Sequence, residues 1–146
     1  MSDTGKAIPL VGWREAVDLP ELGFAGLPAK IDTGARTSSL HAFDPECFER
    51  DGVEWVRFLL DVGPDHEPRL CEAHHVEHRM VTSSNGQAEE RLVIKTTLKI
   101  GKIAFRTEFT LADRSEMAYP ILVGRMALRR RFHVDAGRSW LQSTKS

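Results

Sequence analysis

The chain has 146 residues, 41% of them apolar and 28% charged, with a formal net charge of −1. That length fits one domain over 1–146 with a sizeable core, and the near-neutral charge excludes the strong basic excess behind non-specific nucleic-acid binding, so no direct nucleic-acid partner is expected. No apolar run approaches the roughly 20 residues a helix needs to cross a bilayer, the start Met1-Ser2-Asp3-Thr4-Gly5-Lys6 lacks the pattern of a signal peptide, and Cys47 and Cys71 are too few for a disulfide scaffold and match no zinc spacing; the expectation is a reduced, cytoplasmic protein with no membrane partner.

In chain order, Ile8-Pro9-Leu10-Val11-Gly12-Trp13 reads as a first strand, with Pro9 placing it at an edge or a strand start. Residues 19–23 form a turn. A strand over 27–31 leads into Asp32-Thr33-Gly34, and residues 38–42 lead out. Asp51-Gly52 is a turn signal before a mostly apolar strand over 54–60. Gly63-Pro64-Asp65 breaks the chain. Met80-Val81 and Leu92-Val93-Ile94 flank a polar tip over 82–87, where Asn85-Gly86 is a strong hairpin signal. A second hairpin spans 98–105, and 106–111 continues with period-two alternation. The one helix expected follows Gly124, at Met126-Ala127-Leu128-Arg129-Arg130. Many short strands joined by hairpins, with no internal repeat or linker, indicate an all-β barrel or sandwich.

Two segments carry chemistry. Ala29-Lys30-Ile31-Asp32-Thr33-Gly34-Ala35 is an apolar approach strand ending in Asp-Thr-Gly, the way aspartic proteases present a catalytic carboxylate. The bland reading of Asp-Thr-Gly is a turn. The chemistry needs two carboxylates sharing a proton, since like charges about 3 Å apart cannot both ionise. Nothing later in the chain repeats the motif, so a second copy of the protein on a two-fold axis would have to complete the site. The other segment, Tyr119-Pro120-Ile121-Leu122-Val123-Gly124-Arg125, matches the apolar run and Gly-Arg that retropepsin-type proteases carry late in the chain.

With both segments placed, nearly the whole chain resembles the retropepsin-like family associated with the RimK glutamate ligase, also catalogued as an ATP-dependent zinc protease. The carriers are Gly12-Trp13-Arg14-Glu15, Lys30-Ile31-Asp32-Thr33-Gly34-Ala35-Arg36-Thr37-Ser38-Ser39-Leu40-His41-Ala42, Arg79-Met80-Val81-Thr82-Ser83-Ser84-Asn85-Gly86 and Leu122-Val123-Gly124-Arg125-Met126-Ala127-Leu128. The resemblance implies an all-β, retropepsin-like closed β-barrel with one short C-terminal helix. It also implies a homodimer, catalytic Asp32 supported by Thr33 and Gly34, and hydrolysis of the glutamate-rich tails that a RimK-type ligase adds to a ribosomal protein. Partners would be a second copy, the polyglutamylated protein and the ligase.

The catalogue label does not match the residues. The chain has no Gly-rich stretch ending in Gly-Lys-Ser/Thr and no His-Glu-x-x-His, so no cofactor and no metal ligand is assigned. In Cys71-Glu72-Ala73-His74-His75-Val76-Glu77-His78, strand periodicity puts His74 and His78 on one face with Glu72. A solvated edge strand is the preferred reading over a zinc site there.

One departure from ordinary retropepsins bears on substrate. Their Asp two residues after the Asp-Thr-Gly glycine is Arg36 here, while Arg125 still follows Gly124. Arg offers bidentate recognition of carboxylate, so Arg36 and Arg125, with Lys30, Arg79 or Arg91, are candidates for binding glutamate side chains or the C-terminal carboxylate of the substrate. The competing reading pairs Arg36 with Glu89 or Glu90. The 82–87 hairpin reads either as an ordinary surface turn or as a flap, with Ser83, Ser84, Asn85 and Gly86 over the substrate. A catalytically silent module that binds anionic peptides is the alternative function. Trp13, Trp55 and Phe58 are expected in the core, and Arg129-Arg130-Arg131 on a solvated face.

Overall fold

The computed structural model describes residues 7–63, 67–82, 86–112 and 119–142. The chain is mostly β with a single short helix among these residues, as expected. The strands are β1 (Leu10–Gly12), β2 (Arg14–Leu19), β3 (Phe24–Ile31), β4 (Ser38–Arg50), β5 (Val53–Leu60), β6 (Arg69–Thr82), β7 (Ala88–Ile100), β8 (Ile103–Ala112), β9 (Ile121–Val123) and β10 (His133–Asp135). The helix α1 is Arg125–Leu128, and a 3₁₀ turn covers Pro20–Leu22. No helix among the described residues is long and apolar enough to cross a membrane.

Eight strands form one sheet in the order β2-β3-β9-β4-β5-β6-β7-β8, with β2–β7 and β4–β8 also paired. β1 and β10 pair separately in parallel, and the Pro9 carbonyl accepts the His133 N–H. Turn chemistry sets several joins. Asp51 and Gly52 both have positive φ, 53° and 77°, the combination a tight hairpin between β4 and β5 needs. Gly101 does the same for β7 and β8.

Leu40, Phe58, Ile94, Leu98, Ile100, Phe109 and Ile121 are fully buried and head one continuous apolar core. Fully buried Glu15 sits beside it. Its carboxylate accepts backbone N–H groups from Gly12 (2.8 Å), Leu141 (2.7 Å) and Gln142 (3.0 Å), tying the start of β2 to the C-terminal segment. Arg14 lies between Trp13 and Trp140, its guanidinium carbon 4.7 and 5.0 Å from the two ring centres. Trp13 and Trp55 are partly exposed, and only Phe58 of the three expected core aromatics is fully enclosed.

Two expectations change. β6 pairs with β5 over Arg69–His74 and with β7 over His74–Thr82, so the histidine-bearing segment is where the strand changes partner: His74 is flanked on both sides, and only from His75 onward does the expected open edge remain. The strand leaving the Asp32 loop runs to Arg50 instead of ending near residue 42. Asp44, with φ of 57°, and a register shift between Phe43 and Glu46 absorb Pro45 as a bulge that the chain passes through.

Candidate functional site

The Asp32 loop spans residues 32–37 and joins β3 to β4, while β9 passes between those two strands. β9 pairs in parallel with β3 (Ile31 opposite Val123) and antiparallel with β4 (Ser39 opposite Leu122). Three backbone bonds then lock the loop onto the β9–α1 junction. The Asp32 N–H donates to Val123 O at 2.9 Å, the Arg125 N–H to Ala35 O at 2.7 Å, and the Met126 N–H to Arg36 O at 3.0 Å. Gly124 makes this approach feasible. A Cβ there would meet Thr37 C at 2.7 Å and Ala35 O at 2.9 Å, both immovable backbone. Its N–H donates to the Oγ of buried Ser38 at 3.0 Å.

Asp32 is half-buried at the loop's start, and Thr33 and Gly34 are exposed. Asp32 Oδ1 accepts the Gly34 N–H at 2.9 Å, and the Asp32 carbonyl closes a turn with the Ala35 N–H at 3.2 Å. The carboxylate is thus held by the backbone of its own loop. A second Asp-Thr-Gly, Asp3-Thr4-Gly5, lies outside the described residues.

The five candidate cations do not form one cluster. Arg125 donates to Thr33 O at 3.0 Å and lines a hollow with Met126, Arg129 and Phe132. Arg36 instead lines a cleft of about 720 Å³ beside the loop, with Arg79, Lys95, Arg106 and Arg131. Lys30 sits within β3, opposite Arg14 and Leu122, and is not among the residues lining that cleft. Arg91 lines a third hollow and pairs with Glu89 at 2.9 Å. Ser83, Ser84 and Asn85 lie outside the described residues; Gly86, with φ of 86°, precedes β7.

Most cations of the cleft have partners. Arg79 contacts Glu77 and, at 2.9 Å, Glu108; the hydrogen bond to Glu108 leads the causes that raise its pKa above the ordinary guanidinium value. Arg106 holds both Glu21 carboxylate oxygens at 2.9 Å, and Arg131 donates to Ala127 O at 3.3 Å. The Arg36 guanidinium, exposed, has no hydrogen-bond or ion-pair partner among the described residues. Sequence reasoning did not place Lys95, Arg106 or Arg131 here. Lys95 pairs with Glu108 and Arg106 with Thr97 across β7 and β8, which no local pattern announces.

His41 is 6% exposed, and its Nε2 lies 3.4 Å from an Asp61 oxygen, a structural position.

Residues 10–145 match the model of the RimB-like family, the retropepsin-like aspartic endopeptidase RimB, and the chain belongs to this family. It is 38% identical over 130 residues to a Desulfotalea psychrophila protein named probable alpha-L-glutamate ligase, covering 86% of this chain and 28% of that protein. It is 36% identical over 138 residues to a Shewanella pealeana protein of the same name, covering 93% and 30%. The chain thus spans under a third of the length of the curated relatives it matches. Among solved structures, a Legionella pneumophila protein of unknown function superposes with a TM-score of 0.82 at 25% identity, over 94% of this chain and all of that one.

Proposed function

We propose that this chain is a single-domain, cytoplasmic aspartic peptidase, active as a homodimer, that hydrolyses glutamate-rich peptide tails such as those a RimK-type ligase adds to a ribosomal protein. The observation that carries the reading is the Asp32 carboxylate, fixed by the Gly34 N–H at the exposed end of a strand that β9 and α1 brace from below. Family membership supports it, as does the ligase name of the long relatives, since a domain joined to a glutamate ligase would meet glutamate-tailed products. The reading also includes closure of the sheet into a barrel, which the β2–β7 and β4–β8 pairings favour.

In this mechanism the Asp32 carboxylates of two protomers flank one water. One takes a proton from the water as it attacks the scissile carbonyl, while the other, protonated, donates to the carbonyl oxygen; the carboxyl that took the water's proton then passes it to the leaving nitrogen, and collapse of the diol returns the other proton to the dyad. The pair titrates as a unit. Thr33 and Gly34 keep the loops rigid across the axis, and Arg36 and its neighbours hold substrate carboxylates. Arg125, Lys30, Arg79, Arg91, Ser83, Ser84, Asn85 and Gly86 complete the proposed substrate-binding set.

The test is mass spectrometry of a peptide with a C-terminal oligoglutamate tail, beside a measured mass of the protein in solution. A dimer that shortens the tail, with Asp32→Asn lowering the rate by at least about 10²–10⁴-fold, supports the peptidase. A dimer that binds the tail and leaves it intact favours the silent anionic-peptide module, for which Arg36, unpartnered among the described residues, is the supporting observation. A monomer that cleaves, or cleavage that Asp32→Asn preserves, overturns the mechanism.

A further inference from the structure

Apart from the Asp32 loop, Cys47 of β4 and His75 and His78 of β6 converge. One ligand atom of each lies within 4.8 Å of the others. Register explains the first two. Cys47 is opposite Val56, which is opposite Ala73, so the three share a face. His75, two residues beyond Ala73, returns to that face.

His78 arrives by a different device. On a regular strand, residues three apart face opposite sides. Between His75 and Glu77 the β6–β7 register slips, since His75 opposes Ile94 while Glu77 opposes the adjacent Val93. That extra residue turns the strand, and the two imidazole rings meet with centres 5.0 Å apart. His74 goes elsewhere, its ring 4.3 Å from Trp55, and Glu72 binds Arg50 and Arg57. The grouping of His74, His78 and Glu72 expected from strand alternation is therefore replaced by one the bulge creates.

His75 is the informative member. Its side chain is only 8% exposed. Nδ1 lies 2.9 Å from Glu54 Oε1, while Nε2 is buried with no hydrogen-bond partner among the described residues. With Nδ1–H donating to the carboxylate, Nε2 presents a lone pair to the Cys47–His78 side. A carboxylate-oriented imidazole of this kind is how proteins fix the tautomer of a metal ligand. A buried nitrogen left empty-handed is otherwise costly.

We propose that Cys47 Sγ, His75 Nε2 and a ring nitrogen of His78 form a site for a borderline-soft divalent cation, Zn²⁺ foremost, with Glu54 as positioning residue. Sulfur with two imidazoles selects zinc over calcium or magnesium. On binding, the Cys47 thiol gives its proton to solvent, three ligand–metal bonds form, and nothing is oxidised or reduced. Tetrahedral zinc wants its ligand atoms about 3.3–3.7 Å apart, and exposed Cys47 and His78 have room to rotate inward. The fourth position remains for water or an incoming ligand. This site is independent of the peptidase reading, because its readout is metal binding.

The test is titration of the folded, reduced protein with Co²⁺ and then Zn²⁺. One Co²⁺ per chain with a near-ultraviolet thiolate charge-transfer band, displaced by Zn²⁺, is expected. Cys47→Ala removes the band, and Cys47→Ala and His78→Ala each weaken Zn²⁺ binding by tenfold or more; Glu54→Gln weakens it by about tenfold. His74→Ala leaves both signals intact. No binding by folded wild type overturns the proposal, as does binding without the thiolate band or binding that His74→Ala abolishes and Cys47→Ala spares. Circular dichroism of each variant identifies any that fails to fold, and exposed Cys47 and His78 give substitutions the core does not feel.

Discussion

Arg36 and Arg79 share a cleft and differ in what they can still bind. Arg79 is engaged by Glu77 and Glu108, which also favour its charged form. Arg36 is exposed and unpartnered among the described residues, so its donors are open to a ligand carboxylate. If the cleft takes glutamate tails, Arg36→Ala removes a charge-assisted bond of about 1.5–3 kcal/mol. The expected result is a fall in kcat/KM of about 10–100-fold on acidic peptides with little change on neutral ones of equal length. An equal loss on both classes counts against carboxylate recognition. The residue types were legible in the sequence, since Arg36 stands out where retropepsins carry Asp. Their dispersal was not, because the Arg125 contact with Thr33 O depends on how tightly the loop folds over α1. The two cysteines also part company. Burial pushes the Cys71 thiol up to about 11, so it stays protonated and inert, whereas Cys47 is exposed.

At the junction of β9 and α1, Gly124 carries a geometric demand. A methyl group there collides with the backbone of Thr37 and Ala35, and neither can withdraw without breaking the bonds to Arg125 and Met126. Gly124→Ala is expected to cost about 1–3 kcal/mol of stability, as overpacking does, read from the denaturant midpoint, and to displace the Asp32 loop. A variant with unchanged midpoint and unchanged activity would show that the loop has slack. The Gly124-Arg125 signal, the Asp51-Gly52 hairpin and the helix after Gly124 could be read from local chemistry because glycine placement and apolar runs are local. Two features escaped for a shared reason. Bulges at Phe43–Glu46 and His75–Glu77 shift strand parity, and parity is the quantity that sequence alternation assumes constant. β4 therefore looked short, and the histidines were assigned to the wrong faces.

Across the molecule, Glu21 fastens the 3₁₀ turn to the far pair of strands. Thr96 and Thr97 of β7 and Arg106 of β8 all donate to its carboxylate. Burial works to raise its pKa, but the hydrogen bonds and the Arg106 charge prevail and lower it. A carboxyl with a folded pKa below its unfolded value stabilises above the unfolded value and loses that contribution as pH falls through the folded one. Glu21→Gln should thus cost about 0.5–1 kcal/mol at neutral pH, a modest figure because solvent screens this half-exposed group. The gap between variant and wild type should close below the ordinary carboxyl value of 4.5. Urea midpoints at pH 7 and pH 3 measure it, and a gap that widens in acid would rule out the ion pair as its source.

Glu15 has a consequence for how the chain comes into being. Its buried carboxylate takes N–H groups from Leu141 and Gln142, 126 and 127 residues further along. Synthesis runs from the N-terminus, so β2 emerges with a charge it cannot bury while those donors are still untranslated. The early strands can pair, yet the end of the domain that holds Glu15 must stay wet until Leu141 and Gln142 have been made. Completion is thereby delayed to a single late event, in which closing segment and first strands settle together. A nascent chain stalled short of Leu141 would present the ribosome's exit with an unfinished domain.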